Sequence, residues 1–463
     1  MPNSTLGIFV MAAGKGTRMK SDLPKVLLPI LEKPMLGYLL KTVLECQPQE
    51  VAVLVGHQGE RVCDYLKIFP SVEPLWQKEQ LGTGHAVRTA RQWWERFDRV
   101  LVLNGDLPLL GTETLRTFLR EHDERRDYSC SLLSFVTDHP EGYGRVVREP
   151  DGGMSIVEHK DATPEQRLIQ EVNGGCYVFE TKRLAQVIDC LENRNAQGEF
   201  YLPDVIALMR KAGLKVRASI ADEEEMLGVN TQAELAQVTS RTRDALARYW
   251  MNRGVQIADP SAVWIGPDVE LAANVCLMPG VQIWGNSIVG EGTVLGPYCV
   301  LRNARLGRRI NLIAYVMVEN SELRDDSKAG PFAYIREGSF LAEEAFAGKF
   351  VELKKTRVGK GSKVPHLSYL GDAVLGENVN IGAGSVTCNY DGRNKFPTKI
   401  GDRCFVGSNT MMVAPVTLGN DSMTAAGSTI TADVPDGALA VGRTRQKNIE
   451  GWVLKKRALE KRD

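Results

Sequence analysis

The sequence predicts two unlike folded parts in one chain: an α/β domain on a mainly parallel sheet, then an all-β parallel β-helix of hexapeptide repeats. Three observations carry that expectation. Up to about residue 230, short runs rich in Val, Ile and Leu alternate with helix-length stretches, which is how βαβ units read. From Thr231 the pattern becomes that of a single helix. Beyond it, one aliphatic residue recurs every six positions, a period that fits neither an α-helix nor an alternating strand.

The strand-like runs of the first part are Leu6–Met11, Val51–Val55 and Val100–Leu103, apolar throughout as strands buried on both faces should be. The helical stretches between them include Lys33–Leu44 and Gly84–Phe97. Ligands of such a sheet bind beyond the carboxyl ends of its strands. In the helix that follows, Thr231 and Glu234 have capping-box spacing. Leu235, Val238, Thr242, Ala245 and Tyr249 form its stripe, and Gly254 suits its stop. These signals divide the chain into an α/β domain (1–230), a linker helix (231–253) and a β-helix with a C-terminal tail (254–463).

The six-residue spacing runs through Ile265, Leu271, Leu277, Ile283, Val289, Leu295 and Leu301. It slips by one, then continues at Leu306, Leu312 and Val318, and returns at Val358, Val364 and Leu370, at Leu375 and Ile381, and at Ile400, Val406, Met412 and Leu418, with Thr424 and Ile430 in phase. Each unit supplies one flat side and one inward aliphatic, and three units close a triangular coil, so a repeat of this length predicts roughly ten coils. The phase breaks between Thr387 and Ile400, at CNYDGRNKFP, where a loop should protrude.

Composition excludes other classes. The 463 residues carry 57 basic and 57 acidic side chains, so neither a polybasic nucleic-acid binder nor a membrane-surface protein is expected. The 43% apolar content argues against disorder. No apolar run approaches membrane-spanning length, and no signal peptide is evident. Nine cysteines, an odd number with no CxxC pair, read as free thiols in a reducing cytoplasm.

The chemistry of the first part begins after its first strand, at MAAGKGTRM (Met11–Met19), followed by LPK at Leu23–Lys25. Glycines 14 and 16 let the backbone bend around a phosphate, while Lys15, Arg18 and Lys25 supply charge. The loop lacks the GK[ST] ending of a Walker A motif and the third glycine of a dinucleotide fingerprint.

AAGKGTRM with LPK resembles the sugar-phosphate nucleotidylyltransferases. QLGTGHA (Gln80–Ala86), NGDLPL (Asn104–Leu109), GYGR (Gly142–Arg145), EHKDA (Glu158–Ala162) and GVN (Gly228–Asn230) narrow the likeness. With the hexapeptide half, the chain resembles the bacterial bifunctional UDP-N-acetylglucosamine pyrophosphorylase / glucosamine-1-phosphate N-acetyltransferase family, from Gly7 to about Trp452. That resemblance implies a Rossmann-like nucleotidylyltransferase domain and a left-handed β-helix. It implies acetylation of glucosamine-1-phosphate by acetyl-CoA, then uridylyl transfer from UTP to the acetylated sugar phosphate with release of pyrophosphate. The product is the activated sugar for bacterial cell-wall and outer-envelope synthesis. It also implies a cytoplasmic homotrimer acting on small molecules, with Mg²⁺ as cofactor and no nucleic acid or membrane partner.

Residue roles follow from the same resemblance. Met11, Ala12, Ala13 and Gly14 would offer backbone to the uridine nucleotide, and Lys25 would meet its phosphates. Gln77, Gly82 and Thr83 would read the base, and Asn104 and Gly105 would line the ribose. Asp106 and Asn230 would hold Mg²⁺, which takes hard oxygen ligands. Gly144, Glu158 and Asn173 would bind the sugar. His57 and His85 read as structural. No protein nucleophile is needed, because such transfer rests on positioning and charge neutralisation.

In the second half, His366 is the only histidine after residue 159, within FVELKKTRVGKGSKVPHLSYLGDA. Acetyl transfer to an amine needs a base, and imidazole suits that work near neutral pH. By resemblance, Arg336 and Lys354 would bind the sugar phosphate, with Tyr369 and Asn380 placing the sugar. Ala383, Asn389, Tyr390, Ser408, Ala426 and Arg443 would contact acetyl-CoA. Glu352, close to His366 in the motif, is expected to orient it. Met11, Gly174 and Lys349 depart from the family's usual Leu, small hydroxyl residue and Asn. Lys349 thereby adds a charge beside the acetyl-transfer site.

Overall fold

The computed structural model describes residues 4–125, 127–149 and 152–460. By internal contacts the chain divides into two compact units, Met1–Thr242 and Arg243–Asp463.

The first unit is built on one sheet whose path runs through Lys215–Ile220, Tyr128–Val136, Glu171–Glu180, Arg99–Asn104, Leu6–Met11, Glu50–Val55 and Val72–Trp76. Leu6–Met11 lies parallel between Glu50–Val55 and Arg99–Asn104, while Glu171–Glu180 runs antiparallel to both of its neighbours. The central strands are apolar on both faces because cores cover both. Ile8 and Val10 point into one core, and Phe9 points into the other. Met11 pairs with Asn104 at the level carboxyl ends of two parallel strands. The loops following each strand, GKG and GD, therefore emerge side by side.

Two expected helices are shorter than the sequence pattern suggests. The helix after residue 33 spans Met35–Glu45, since Lys33–Pro34 pairs back with Pro29–Ile30. The stretch from Gly84 splits into Thr83–Thr89 and Arg91–Trp94, broken at Ala90. The Trp94 indole donates to the carbonyl of Val87 at 2.8 Å, a buried bond across the break.

A helix of 20 residues spans Gln232–Met251. Its capping box forms as the spacing predicts: Thr231 N donates to Glu234 Oε2 at 2.8 Å, and Glu234 N donates to Thr231 Oγ1 at 3.2 Å. The predicted stripe holds only in part. Val238 and Thr242 are buried, but Ala245 and Tyr249 are exposed and Ala247 is buried instead. The last turns use a different face, on which Trp250 packs against the β-helix core. Gly254 takes the positive φ of +87° that ends the element.

The second unit is a left-handed parallel β-helix of three sheets, with eleven, ten and nine strands. The strands are two to four residues long, and apart from the last pair each pairs in parallel with the third strand after it, so the stack holds ten coils. Its core is the column of inward aliphatics. The structure fills the gap in the sequence pattern after Val318: Leu323, Ala329, Ile335, Leu341, Ala347 and Leu353 continue it, all buried. Two alanines stand at aliphatic positions there and hide the period.

The slips have one place. From Leu271 to Ile430, the steps at two corners of the triangle are always six residues. At the corner between the second and third sheets, Leu301→Leu306, Val318→Leu323, Leu353→Val358 and Leu370→Leu375 are steps of five. The predicted loop, closed by a bridge between Tyr390 and Lys395, leaves this same corner.

Another corner carries a column of aromatic rings. Tyr298, Tyr315, Phe332 and Phe350 stack at centroid distances of 5.1, 5.0 and 5.0 Å, with planes within 9° of parallel. Each sits at a φ between 52° and 59°, a backbone region that bulky residues rarely adopt. Stacking of about 0.5–1.5 kcal/mol per pair offsets part of that strain. All four rings are exposed.

All nine cysteines are free. Among the described residues no helix is long and apolar enough to cross a membrane. The basic tail folds into a helix over Trp452–Glu460; its last lysine and arginine, 461 and 462, lie outside the described residues.

Candidate functional site

The first unit holds a cavity of about 540 Å³ at the ends of its central strands. Met11, Ala12, Ala13, Gly14, Lys25, Gln77, Gly82, Thr83, Asn104, Gly105 and Asp106, all expected to contact the nucleotide, line it. Backbone shape demands two glycines. Gly16 has φ +57° and a Cβ there would stand 2.8 Å from Lys25 Cβ; Gly82 has φ +110° with Phe200 O 2.5 Å from the same point. Gly14 has open space where a Cβ would be.

At one end of the cavity four polar side chains converge. The Lys25 ammonium pairs with Asp106 Oδ2 and donates to Asn230 Oδ1 at 2.7 Å. Arg18 donates to the same Asn230 oxygen at 2.8 Å. The helix cap holds Asn230 in place: its backbone N–H, like that of Thr231, donates to Glu234 Oε2. Two oxygen donors thus already share a cation, in the form of an ammonium. Among the described residues no cluster of three or more His, Cys, Asp or Glu could hold a metal alone, so any ion here would take further ligands from substrate and water, as Mg²⁺ commonly does.

The three expected sugar residues lie apart from the cavity lining but together. Asn173 N donates to Gly144 O at 2.8 Å, and Glu158 Oε1 lies 3.3 Å from where a Gly144 Cβ would stand. Burial, then Asp204 and Asp161, raises the Glu158 pKa to about 7, against the opposing pull of Arg145. A carboxyl that titrates near neutrality can donate to a sugar hydroxyl or accept from one. Arg145, which closes the GYGR motif but was given no role from sequence, is fully buried and donates to Tyr143 O, His159 Nδ1 and Arg167 O. At Gly174, one of the family departures, Met226 fills the space a side chain would need.

On the β-helix, strand register sets the residues expected to serve acetyl transfer on neighbouring strands. Glu352 pairs with Tyr369, Lys363 with Asn380, and Lys349 with His366. The extra cation at Lys349 therefore lies one strand from His366. The expected Glu352–His366 contact is absent: Glu352 accepts from Arg336 at 2.7 Å, because parallel pairing sets it on the sheet of Tyr334 and Tyr369 rather than that of His366. Lys354 is buried, and the protruding loop brings Lys395 onto it. The crowded pair lowers the Lys395 pKa. Arg336, Lys354 and Lys395 form a cationic patch suited to a phosphate, and Lys395 went unnoticed because only the loop's fold carries it there.

The expected acetyl-CoA residues fall into two places. Gly384 N bonds to Leu367 O, Asn409 N to Ala383 O, and Gly427 N to Ser408 O. His366, Ala383, Ser408 and Ala426 thus follow one another along a single corner, with Arg443 Cδ 3.9 Å from the site of a Gly427 Cβ. Asn389 and Tyr390 stand on the protruding loop instead. Asn389 donates to Asp372 at 2.6 Å, and the Tyr390 hydroxyl donates to Gly392 O at 2.7 Å.

Comparison with known proteins assigns each half to a class. Residues 8–150 match the MobA-like NTP transferase domain, and residues 397–432 match the hexapeptide repeat of succinyl-transferase. The chain thus joins a nucleotidyltransferase unit to a hexapeptide-repeat unit. It is 46% identical over 448 residues to the bifunctional protein GlmU of Thermus thermophilus, covering 96% of this chain and 98% of that one. The GlmU of Heliobacterium modesticaldum is 45% identical over 450 residues, 96% of this chain and 97% of its own. The chain belongs to the bifunctional GlmU family.

Proposed function

We propose that the two units run consecutive reactions: acetylation of glucosamine-1-phosphate by acetyl-CoA on the β-helix, then uridylyl transfer from UTP to N-acetylglucosamine-1-phosphate in the α/β unit. The observation that carries the second step is the convergence of Lys25, Arg18, Asp106 and Asn230 on a cleft whose other end holds Gln77 and Gly82. In it a phosphate oxygen of the sugar phosphate attacks the α-phosphorus of UTP, and the bond to pyrophosphate breaks. Lys25 and Arg18 neutralise phosphate charge, the Gly14–Gly16 backbone cradles it, and Gly144, Glu158 and Asn173 orient the sugar. Asp106 and Asn230 would hold Mg²⁺, which when bound supplies charge neutralisation and a template for the phosphates.

In the first step His366 accepts a proton from the sugar's ammonium, the freed amine attacks the thioester carbon, and the bond to sulfur breaks as the nitrogen's second proton passes to the departing CoA thiolate. Arg336 and Lys354 hold the sugar phosphate, and Tyr369 and Asn380 place the ring. Ala383, Ser408, Ala426 and Arg443 offer a small-residue path to the pantetheine arm, with Asn389 and Tyr390 reaching it from the loop. Nine free thiols fit a cytoplasmic setting.

Modularity is the test. A fragment ending after Tyr249 keeps both cores of the first unit. It should make UDP-N-acetylglucosamine from N-acetylglucosamine-1-phosphate at a rate near that of the whole chain. It should release no thiol from acetyl-CoA when given glucosamine-1-phosphate. A folded fragment that forms no nucleotide sugar would sink the two-site reading.

We further propose a homotrimer, associated through the β-helix. Four exposed stacked rings along one corner support this, since burying each would contribute about 1.5–3 kcal/mol. Changing both Phe332 and Phe350 to Asp should move the protein from trimer to monomer in sedimentation equilibrium while uridylyl transfer persists. Unchanged mass at micromolar concentration would rule this surface out.

A further inference from the structure

Gln77 sits in the cleft with only 4% of its surface exposed. Its backbone is held at both ends: its N–H donates to Val55 O at 2.8 Å, and its carbonyl accepts from Gln80 Nε2 at 3.1 Å. What remains free is the sense of the side-chain amide. Gln77 Nε2 lies 2.9 Å from His85 Nδ1, and an amide nitrogen can only donate, so His85 accepts there. Gln77 Oε1 makes no hydrogen bond among the described residues, which leaves the oxygen for a ligand.

His85 is well placed to enforce this. It lies on the helix Thr83–Thr89, its carbonyl accepts from Thr89 Oγ1 at 2.8 Å, and its ring stands 6.5 Å from that of Phe200. Burial and then the Arg88 guanidinium lower its pKa, with Glu79 opposing. The ring therefore stays neutral and keeps an acceptor nitrogen.

We propose that His85 is a positioning residue that locks the Gln77 amide with its oxygen toward the base, so that the cleft selects uracil over cytosine. The inference rests on the reading of this cleft as the UTP site. Uracil presents an N–H donor at N3, which an amide oxygen accepts. Cytosine presents a bare acceptor at N3, which the same oxygen repels. Were the amide free to turn over, its NH₂ would serve cytosine equally well.

The experiment compares kcat/KM for UTP and CTP in the full-length protein and in His85→Phe, His85→Leu and His85→Asn. The parent should prefer UTP. An apolar side chain removes the acceptor that holds the amide, and reversing one hydrogen bond changes discrimination by about tenfold. Both apolar variants should therefore lose about tenfold or more of the UTP:CTP ratio, with CTP turnover rising relative to UTP. His85→Asn brings an amide that can itself turn over, so it should recover only part of the ratio at most. A folded apolar variant with the parent's ratio overturns the proposal. A parent that forms no UDP-sugar from UTP would instead overturn the reading of the cleft itself.

Discussion

Asp106→Ala is expected to lower uridylyl transfer about a hundredfold or more and to leave acetyl transfer near the parent rate. The carboxylate follows directly on Gly105, where the strand Arg99–Asn104 ends level with the strand that carries the phosphate loop. Its partner is the Lys25 ammonium, and the two side chains are only 17% and 15% exposed, so water screens the pair incompletely. Removing the carboxylate takes away a hard oxygen ligand at the place where a triphosphate must be neutralised. Effects of that kind on transition states reach several kcal/mol, and about 2.7 kcal/mol already gives a hundredfold. It also leaves Lys25 and Arg18 crowded on Asn230 without a counter-charge. Ground-state binding of free UTP should therefore tighten or hold while kcat falls. A loss confined to KM, or an equal fall in both activities, would show that Asp106 does not serve the transferring phosphate.

Most of the architecture was legible because its signals are periodic. A six-residue repeat survives single slips, and all the slips prove to lie at one corner, so the steps at the other two keep their phase. Apart from the protruding loop, the repeat faded where Ala329 and Ala347 replace large aliphatics, since period is read from size and the core there accepts small residues. Helix ends were less legible. Ala90 interrupts a continuous helical pattern, and the shift from Thr242 to Ala247 follows which surface each turn meets, a tertiary fact.

The candidate sites divide in the same way. Gly16 and Gly82 sit at positive φ within motifs, so sequence pointed to both. Lys395, Arg145 and His85 stand inside segments the sequence singled out, but nothing local shows what each side chain meets. Lys395 reaches Lys354 because a loop folds back over 41 positions of chain. His85 meets Gln77 across a turn whose shape only the fold determines. Glu352 was misassigned for a related reason, since nearness in sequence to His366 says nothing of which sheet each side chain occupies.

His366→Ala should reduce acetyl transfer by about 10²–10⁴-fold, or about 3–5 kcal/mol, and leave uridylyl transfer intact. The side chain is exposed at the end of the strand Lys363–His366, where the chain turns a corner at Leu367. Ser368 Oγ donates to the His366 carbonyl at 2.7 Å, and pairing with Lys349 fixes the backbone, so the ring projects from a rigid place. Removing an exposed ring leaves the buried column of Val364 and Leu370 untouched; folding and association should survive. The substrate's ammonium must shed a proton before its nitrogen can attack, and among side chains imidazole alone ordinarily changes charge between about pH 5 and 8. Glu352 is poorly placed to inherit the task because its carboxylate is engaged with Arg336. Tyr369, half-buried on the neighbouring sheet, is the next group within the motif. A folded His366→Ala enzyme that acetylates at the parent rate would falsify the assignment. A further loss in Tyr369→Phe would then move the base to the phenol.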